Sequence, residues 1–294
     1  MNISIITVNY NSSGNTIKLL ESLKNQTDKD FNVFVVDNNS EDVKKLMEYR
    51  TDETNIVFVN NDKNLGFSGG NNVGIKKALG DGADWILLLN NDTWVENDFI
   101  HRLKANLEGK GGIMGLAINE GNPNASHGQG RTVYAGKIQW LKPTLIHTPT
   151  SQVGYPQVYA IGGAMAIRKK VFEKIGFLDE KYFLYFEDAD YSVRARKAGV
   201  PVEFAPEIRV YHSVSASTKK LGSPMLLRYH YRNALYFNFK NGPWYIKLLV
   251  WPWSWFVAVK QILKLAAGRN IEESKAILAG VVDFYKNNYG KLHD

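Results

Sequence analysis

The chain has 294 residues, 44% hydrophobic and 22% charged, the balance of a folded protein with one large domain or a domain plus an appendage. It contains no cysteine, which excludes disulfides, thiolate metal sites and thiol nucleophiles, so any metal must be held by oxygen or histidine nitrogen. The net charge of +7 is uneven: Lys219 to Asp294 holds 12 basic and 4 acidic residues, whereas the preceding 218 residues hold 24 and 25. The apolar start, Met1 to Val8, runs straight into Asn9-Tyr10-Asn11. It lacks the basic start and small-residue cleavage site of a signal peptide, so the expected location is cytoplasmic.

Ile3 to Val8 is rich in β-branched residues and reads as a strand, followed by a helix over roughly Thr16 to Asn25 with Ile17, Leu20 and Leu23 on one face. Phe31 to Val36 reads as a second strand, ending at Asp37-Asn38-Asn39-Ser40, where Ser40 is the expected N-cap of a helix through Met47. Ile56 to Asn60 is a third strand, Asn71 to Leu79 a third helix, and Trp85 to Leu89 a fourth strand apolar enough to be buried on both faces. Strands separated by helices imply a largely parallel sheet with right-handed crossovers. Ligands of such sheets bind at the carboxyl ends of the strands. Here each strand ends in a polar cluster: Thr7 to Asn11, Asp37 to Ser40, Asn60 to Gly70 and Asn90 to Thr93. Any one cluster is ordinary turn chemistry, but four on one rim favour a ligand crevice.

From Asn119 to Pro156 the pattern dissolves into Gly, Pro, Asn and His, and a long irregular loop, of the kind that is functional or mobile, is expected there. Helical patterns return at Lys169 to Ile175, closed by Gly176, and at Glu187 to Lys197, closed by Gly199. No G-x-G-x-x-G occurs, and Gly69 to Gly74 has P-loop spacing with Ile75 where the lysine must stand, so dehydrogenase and P-loop readings are weak.

Three places offer chemistry. Asp92 follows the buried strand directly, where a carboxylate can hold a divalent cation that also grips a diphosphate, although a turn or cap role is commoner. Glu187, Asp188 and Asp190 open a helix. Helix-dipole electrostatics and an Asp190–Arg194 pair account for Asp190, leaving Glu187 and Asp188 crowded at the entrance, where one pKa can rise and a carboxylate can accept a hydroxyl proton. His212 ends the run Val210-Tyr211-His212; if it faces Asp92, the two form a sparse oxygen–nitrogen metal site.

The ordered set Ile6-Thr7-Val8-Asn9-Tyr10-Asn11, Val35-Val36-Asp37-Asn38-Asn39-Ser40, Asn64-Leu65-Gly66-Phe67-Ser68-Gly69-Gly70-Asn71, Leu89-Asn90-Asn91-Asp92, Gly162-Gly163-Ala164, Phe186-Glu187-Asp188-Ala189-Asp190 and Val210-Tyr211-His212 resembles the family 2 glycosyltransferases of the GT-A fold, in particular their rhamnosyl- and galactofuranosyltransferase-like branch. The resemblance spans about residues 2 to 215. It implies an α/β fold, a mostly parallel central sheet flanked by helices, in a GT-A domain over 1–218, followed by a helical extension over 219–294.

The resemblance also implies roles. Thr7, Asn9 and Asn11 line the nucleotide pocket, Asp37 reads the base with Asn39 nearby, and Asn64, Gly66, Phe67 and Asn71 approach the ribose and diphosphate. Asn90, Asn91 and Asp92 border the donor, with Asp92 last in the metal-binding D-x-D motif and His212 a further ligand for Mn2+ or Mg2+. Asp188 matches the catalytic base, with Glu187 beside it. The first acid of D-x-D is Asn90 here, an uncharged ligand, which leaves metal affinity and choice open. The implied reaction is an inverting displacement from a dTDP- or UDP-sugar, dTDP-rhamnose first, to a saccharide or polyprenyl-linked hydroxyl. A nucleotidyltransferase would want a basic phosphate loop, and Asn9 to Gly14 has no Lys or Arg. An inactive nucleotide-sugar-binding scaffold would have no use for Asp92, Glu187, Asp188 and His212 together.

Residues 224 to 289 read as helical, with four of the seven Trp between Trp244 and Trp255 and Lys247, Lys260, Lys264 and Arg269 interspersed. A spanning helix needs about 20 mainly apolar residues, and this stretch is a poor spanner. Trp and Lys together suit a bilayer headgroup region, so peripheral attachment to the inner membrane face is expected rather than nucleic-acid binding. An ordinary helical subdomain, or a homodimer through these helices, is the alternative.

Overall fold

The computed structural model describes residues 1–49, 55–121, 131–142, 144–148, 157–213 and 223–292. Strands and helices alternate as the apolar spacing requires: β1 (Ile3–Asn9), α1 (Ser13–Lys24), β2 (Asn32–Asp37), α2 (Val43–Glu48), β3 (Asn55–Asn60), α3 (Gly66–Gly80), β4 (Trp85–Leu89), β5 (Thr93–Trp94) and α4 (Phe99–Leu107). Then come β6 (Ile113–Gly121), β7 (Arg131–Val133), β8 (Ala135–Gln139), β9 (Thr144–Thr148), β10 (Val158–Tyr159), β11 (Ala164–Arg168), α5 (Lys169–Ile175), α6 (Glu187–Lys197) and β12 (Val202–Ser213). Three long helices follow: α7 (Pro224–Asn241), α8 (Trp244–Ala266) and α9 (Ile271–Tyr285).

The main sheet has the order β3-β2-β1-β4-β11-β6-β12-β5, with β7 on β6, and all but β5, β7 and β11 run in one direction. Parallel neighbours cannot be joined by hairpins, so the intervening helices are crossovers and β1 to β4 end on one rim. β4 is buried throughout, as an unbroken apolar strand covered on both faces must be. One face packs Ile3, Ile5 and Leu87 against Leu19, Leu23 and Leu103; the other packs Ile6, Val36 and Leu88 against Ile75 and Ala78.

Three expectations need correction. Ser40 caps no helix: α2 starts at Val43 behind Asp42, and the Ser40 hydroxyl accepts from Asn9 Nδ2 and the Asn11 amide instead. The helix expected from Asn71 begins at Gly66. Glycine disfavours helix by about 1 kcal/mol per residue, so the run reads as a loop, but its glycines permit close packing. A Cβ on Gly70 would lie 2.9 Å from Val8 Cγ1, and one on Gly74 2.6 Å from Ile6 Cγ2. The stretch Asn119 to Pro156 is not one irregular loop: β8 pairs antiparallel with β9 and β10 in a small second sheet, and β7 with β6. β7, β8 and β9 are three to five residues long, too short for a readable period. The remainder of that stretch, and the domain boundary expected at 218/219, fall outside the described residues.

Helix α7 joins the C-terminal helices to the sheet domain by burying polar groups. Arg232, fully buried, donates from Nη1 to the carbonyls of Asn288 and Gly290 and from Nη2 to those of Lys181 and Tyr182. Asp190 of α6, also fully buried, meets Arg194 as the i,i+4 spacing anticipated, at 2.7 Å, and in addition Lys240 and Asn241 of α7.

Candidate active site

The rim above β1, β2 and β4 is knitted by Asn9. Its Nδ2 donates to Asp37 Oδ1 at 2.7 Å and Ser40 Oγ at 3.0 Å, and its Oδ1 accepts from Thr16 Oγ1 at 2.8 Å. Asn91 Nδ2 donates to Thr16 Oγ1 at 3.0 Å, which ties the β4 end to α1. Asp37 also accepts from the Ser40 amide. Asn9 and Asp37 are both buried with protein partners, so they shape the rim before any ligand is considered. Thr7 lies deeper, with its hydroxyl buried and unpartnered. Asn11 and Asn39 both adopt left-handed backbone, a conformation Asn tolerates, and both are exposed at the mouth.

Asn64, Gly66, Phe67 and Asn71 sit where α3 begins. Asn64 Oδ1 accepts from the Gly66 amide, and Asn71 Nδ2 donates to the Phe67 carbonyl. The Phe67 amide donates to the Phe183 carbonyl at 2.7 Å. Gly66 has φ +73° and packs directly on Phe183, so a side chain there would be both strained and blocked.

Asp92 and His212 come together because β5, just after Asp92, pairs with β12, placing Thr93 opposite His212. His212 Nε2 lies 3.1 Å from Asp92 Oδ1. Burial opposes the imidazolium, but the hydrogen bond and charge of Asp92, backed by Glu120, outweigh it and raise the His212 pKa. Asp92 offers a hard carboxylate of the kind Mn2+ and Mg2+ take and His212 a borderline imidazole nitrogen, so phosphate oxygens and water would have to complete the shell of such an ion. Among the described residues no cluster of three His, Cys, Asp or Glu side chains is poised as a metal cage.

Glu187 and Asp188 open α6. Asp188 Oδ2 accepts from the Gly162 amide at 3.0 Å and Oδ1 from the Ala189 amide at 2.7 Å. Glu187 is buried, and its Oε2 has no partner. Burial raises the Asp188 pKa, with the Gly162 and Ala189 amides pulling the other way. Burial and then the Asp188 charge push Glu187 well above the usual carboxylate range. Both carboxyls are pushed up, and the two amide donors favour the charged form of Asp188 over that of Glu187. The Gly162-Gly163 turn links the two halves, because the Gly163 carbonyl accepts from the Asn90 amide at 3.0 Å.

The turn thus joins Asp188, next to Glu187, to Asn90, two residues before the Asp92–His212 pair, with Asn9, Asn11, Asp37, Asn39 and Asn91 along the adjoining rim and Thr7 beneath it. The structure adds a support that sequence reasoning missed. The segment entering α6 has three non-glycine residues in left-handed backbone, Phe183, Tyr185 and Phe186. Asn233 Nδ2 holds this segment from behind, reaching the carbonyls of Tyr182, Leu184 and Tyr185 at 2.9, 2.7 and 3.1 Å. The available signal was an Arg-Asn pair set among the aromatic and aliphatic residues of a helix, which demands buried partners.

Comparison with known proteins agrees. The relative dTDP-rhamnosyl transferase RfbF of Shigella flexneri is 25% identical over 249 residues, covering 82% of this chain and 81% of that protein. An N-acetylglucosaminyl-diphospho-decaprenol L-rhamnosyltransferase of Mycobacterium tuberculosis is 28% identical over 96 residues, 33% of this chain and 31% of its own. S. aureus TarS 1-349 in complex with UDP-GlcNAc matches with a TM-score of 0.59 at 16% identity, over 97% of this chain and 81% of that one. A longer TarS chain is matched over 40% of its length. At such identity the solved structures speak for the fold, a mixed α/β GT-A arrangement with a largely parallel curled sheet. Residues 4–176 match the family described as Glycosyl transferase family 2, and the chain belongs to that family of glycosyltransferases.

Proposed function

We propose that the chain transfers a sugar, with inversion, from a nucleoside diphosphate donor to a hydroxyl of a saccharide or lipid-linked saccharide acceptor in cell-surface polysaccharide synthesis. dTDP-rhamnose is the first candidate donor and UDP-hexoses the second, a choice supported by the names of the Shigella and mycobacterial relatives. The observation that carries the reading is Asp188, whose carboxyl group is fixed by the Gly162 amide across one glycine turn from Asn90, two residues before the Asp92–His212 pair.

In this reading the acceptor oxygen attacks the anomeric carbon as its bond to the diphosphate oxygen breaks, and Asp188 takes the hydroxyl proton. Burial pushes Glu187 well above the usual carboxylate range, which disfavours a second negative charge beside the base. Asp92 and His212, with Asn90 beside them, would hold Mn2+ or Mg2+, which supplies positive charge against the departing diphosphate. No second carboxylate is needed to protonate the leaving group, unlike in a glycosidase. The reaction would run at the cytoplasmic face of the cell membrane, where a polyprenyl-linked acceptor is presented.

The test is Asp188→Asn, assayed with radiolabelled dTDP-rhamnose and UDP-hexoses and by calorimetric donor titration. Transfer is expected to fall at least roughly 100-fold, the worth of general base catalysis, with donor affinity retained. Near-normal turnover would remove Asp188 from the chemistry.

A further inference from the structure

Helix α8 buries one narrow stripe, Ile246, Val250, Ser254, Val257 and Gln261, against α7 and α9. The spacing is that of a single helix face. The rest of its circumference is apolar and turned to solvent: Trp244 is 74% exposed, Leu248 65%, Trp255 68%, Phe256 66% and Leu263 65%, with Leu249, Trp251, Val259 and Ile262 between them. Such a contiguous apolar patch marks a surface that meets something else.

The charge pattern selects the partner. From Trp244 to Ile271 the chain has no acidic residue, whereas Lys247, Lys260, Lys264 and Arg269 are basic. Lys260, Lys264 and Arg269 border a shallow groove whose other walls are Phe256, Val259, Leu263 and Ala267. An apolar floor rimmed by cations fits a phosphate headgroup with the first methylenes of its acyl chains. A second copy of α8 would set these cations against each other. No helix among the described residues is long and apolar enough to cross a membrane, so the contact lies in the interface plane.

We propose that the outer face of α8 seats the protein on an anionic phospholipid surface, with Trp244, Leu248, Trp255, Phe256 and Leu263 entering the headgroup layer and Lys260, Lys264 and Arg269 binding lipid phosphates. The surface deepens the reading of a lipid-linked acceptor and rests on it for its purpose, but not for its physics. On one flank of α8, Leu249, Pro252 and Trp253 form an apolar pocket with Trp140 and Leu141, which follow β8. β8 pairs with β10, and the Ala160 amide just after β10 donates to Ser192 of α6, the helix that Glu187 and Asp188 open. A membrane held by α8 therefore lies beside the small sheet that borders the candidate site.

The experiment is cosedimentation of the full chain with extruded vesicles of phosphatidylcholine alone or with about one-third phosphatidylglycerol, at low and high salt. Binding to the anionic vesicles is expected, weakened at least tenfold by salt or by omitting the anionic lipid. It is also expected to fall at least tenfold in the Trp255→Glu, Phe256→Glu double variant, whose transfer to a water-soluble acceptor stays normal. A wild-type chain left in the supernatant with every vesicle overturns the proposal. So does concentration-dependent dimerisation in light scattering, abolished by the same substitutions while vesicle binding is unchanged, because a second copy then owns the face. Vesicle binding without transfer to any acceptor would instead refute the proposed function and leave this surface standing.

Discussion

Asn233→Ala would cut the hold of α7 on the segment entering α6. Asn233 is fully buried, and its two Nδ2 hydrogens are shared among three carbonyls, Tyr182, Leu184 and Tyr185. Truncation leaves the part-buried carbonyls of Leu184 and Tyr185 without this donor, each worth about 1–3 kcal/mol, while the Tyr182 carbonyl keeps Arg232 Nη2. A net destabilisation of roughly 2–4 kcal/mol follows. The strain it restrains is of similar size, since Phe183, Tyr185 and Phe186 each cost about 1–2 kcal/mol in left-handed backbone. The freed segment therefore has a reason to relax, and it carries Glu187 and Asp188 at one end and the Phe183–Phe67 hydrogen bond in its middle. Urea unfolding should show the stability loss. Steady-state transfer, measured well below the midpoint, should show kcat down roughly tenfold to 100-fold, as misplacement of about 1 Å can cause, with donor KM raised as well. A variant of wild-type kcat and KM that has lost the full stability would show that Asn233 supports the fold alone. A stability loss below about 1 kcal/mol would refute the hydrogen-bond reasoning itself.

Gly74→Ala and Gly80→Ala form a matched pair on α3. Both gain up to about 1 kcal/mol of helix propensity, but the Gly74 Cβ would lie 2.6 Å from Ile6 Cγ2 and 2.9 Å from Val36 Cγ2, whereas Gly80 has open space. Overpacking costs about 1–3 kcal/mol, so Gly74→Ala should lower the urea midpoint and Gly80→Ala should not; equal shifts would refute the close-packing account. Glu187→Gln tests the raised pKa of Glu187. The folded pKa of Glu187 lies well above that of an unfolded glutamate, about 4.3, so the folded state binds more protons and stability falls as pH rises through that window. The amide removes this cost: the variant should gain on wild type as pH climbs above about 5 and match it near pH 4. A constant offset across that range would rule the titration out.

The parallel half of the fold was legible because its signals are local. Apolar runs, helical spacing and the polar ends of β1 to β4 each fit in one short window, and Gly176 and Gly199 closed α5 and α6 as read. The polar clusters at these strand ends were legible for the same reason, and Asp92 and His212, expected to pair if they faced each other, lie 3.1 Å apart. The start of α3 was hidden because its glycines answer to Ile6, Val8 and Val36 rather than to helix propensity. Ser40 was misread because a hydroxyl three residues before a helix competes for other donors, here Asn9 and Asn11. The hold of Arg232 and Asn233 on residues about 50 positions away leaves no periodic trace at all.

One dipeptide acts as a ruler between the two halves of the proposed chemistry. Gly162 and Gly163 start an antiparallel strand inside a sheet that otherwise runs the other way, and their backbone alone touches Asp188 on one side and Asn90 on the other. A Cβ on Gly162 would press on Asp188 and Phe67, and one on Gly163 on the Asn90 amide. The span from Asp188 to Asn90 is therefore set by peptide geometry and is indifferent to which side chains surround it. Under the proposed function, residues on the nucleotide rim or on β8 and β9 would be free to vary with the sugar and acceptor without altering that interval.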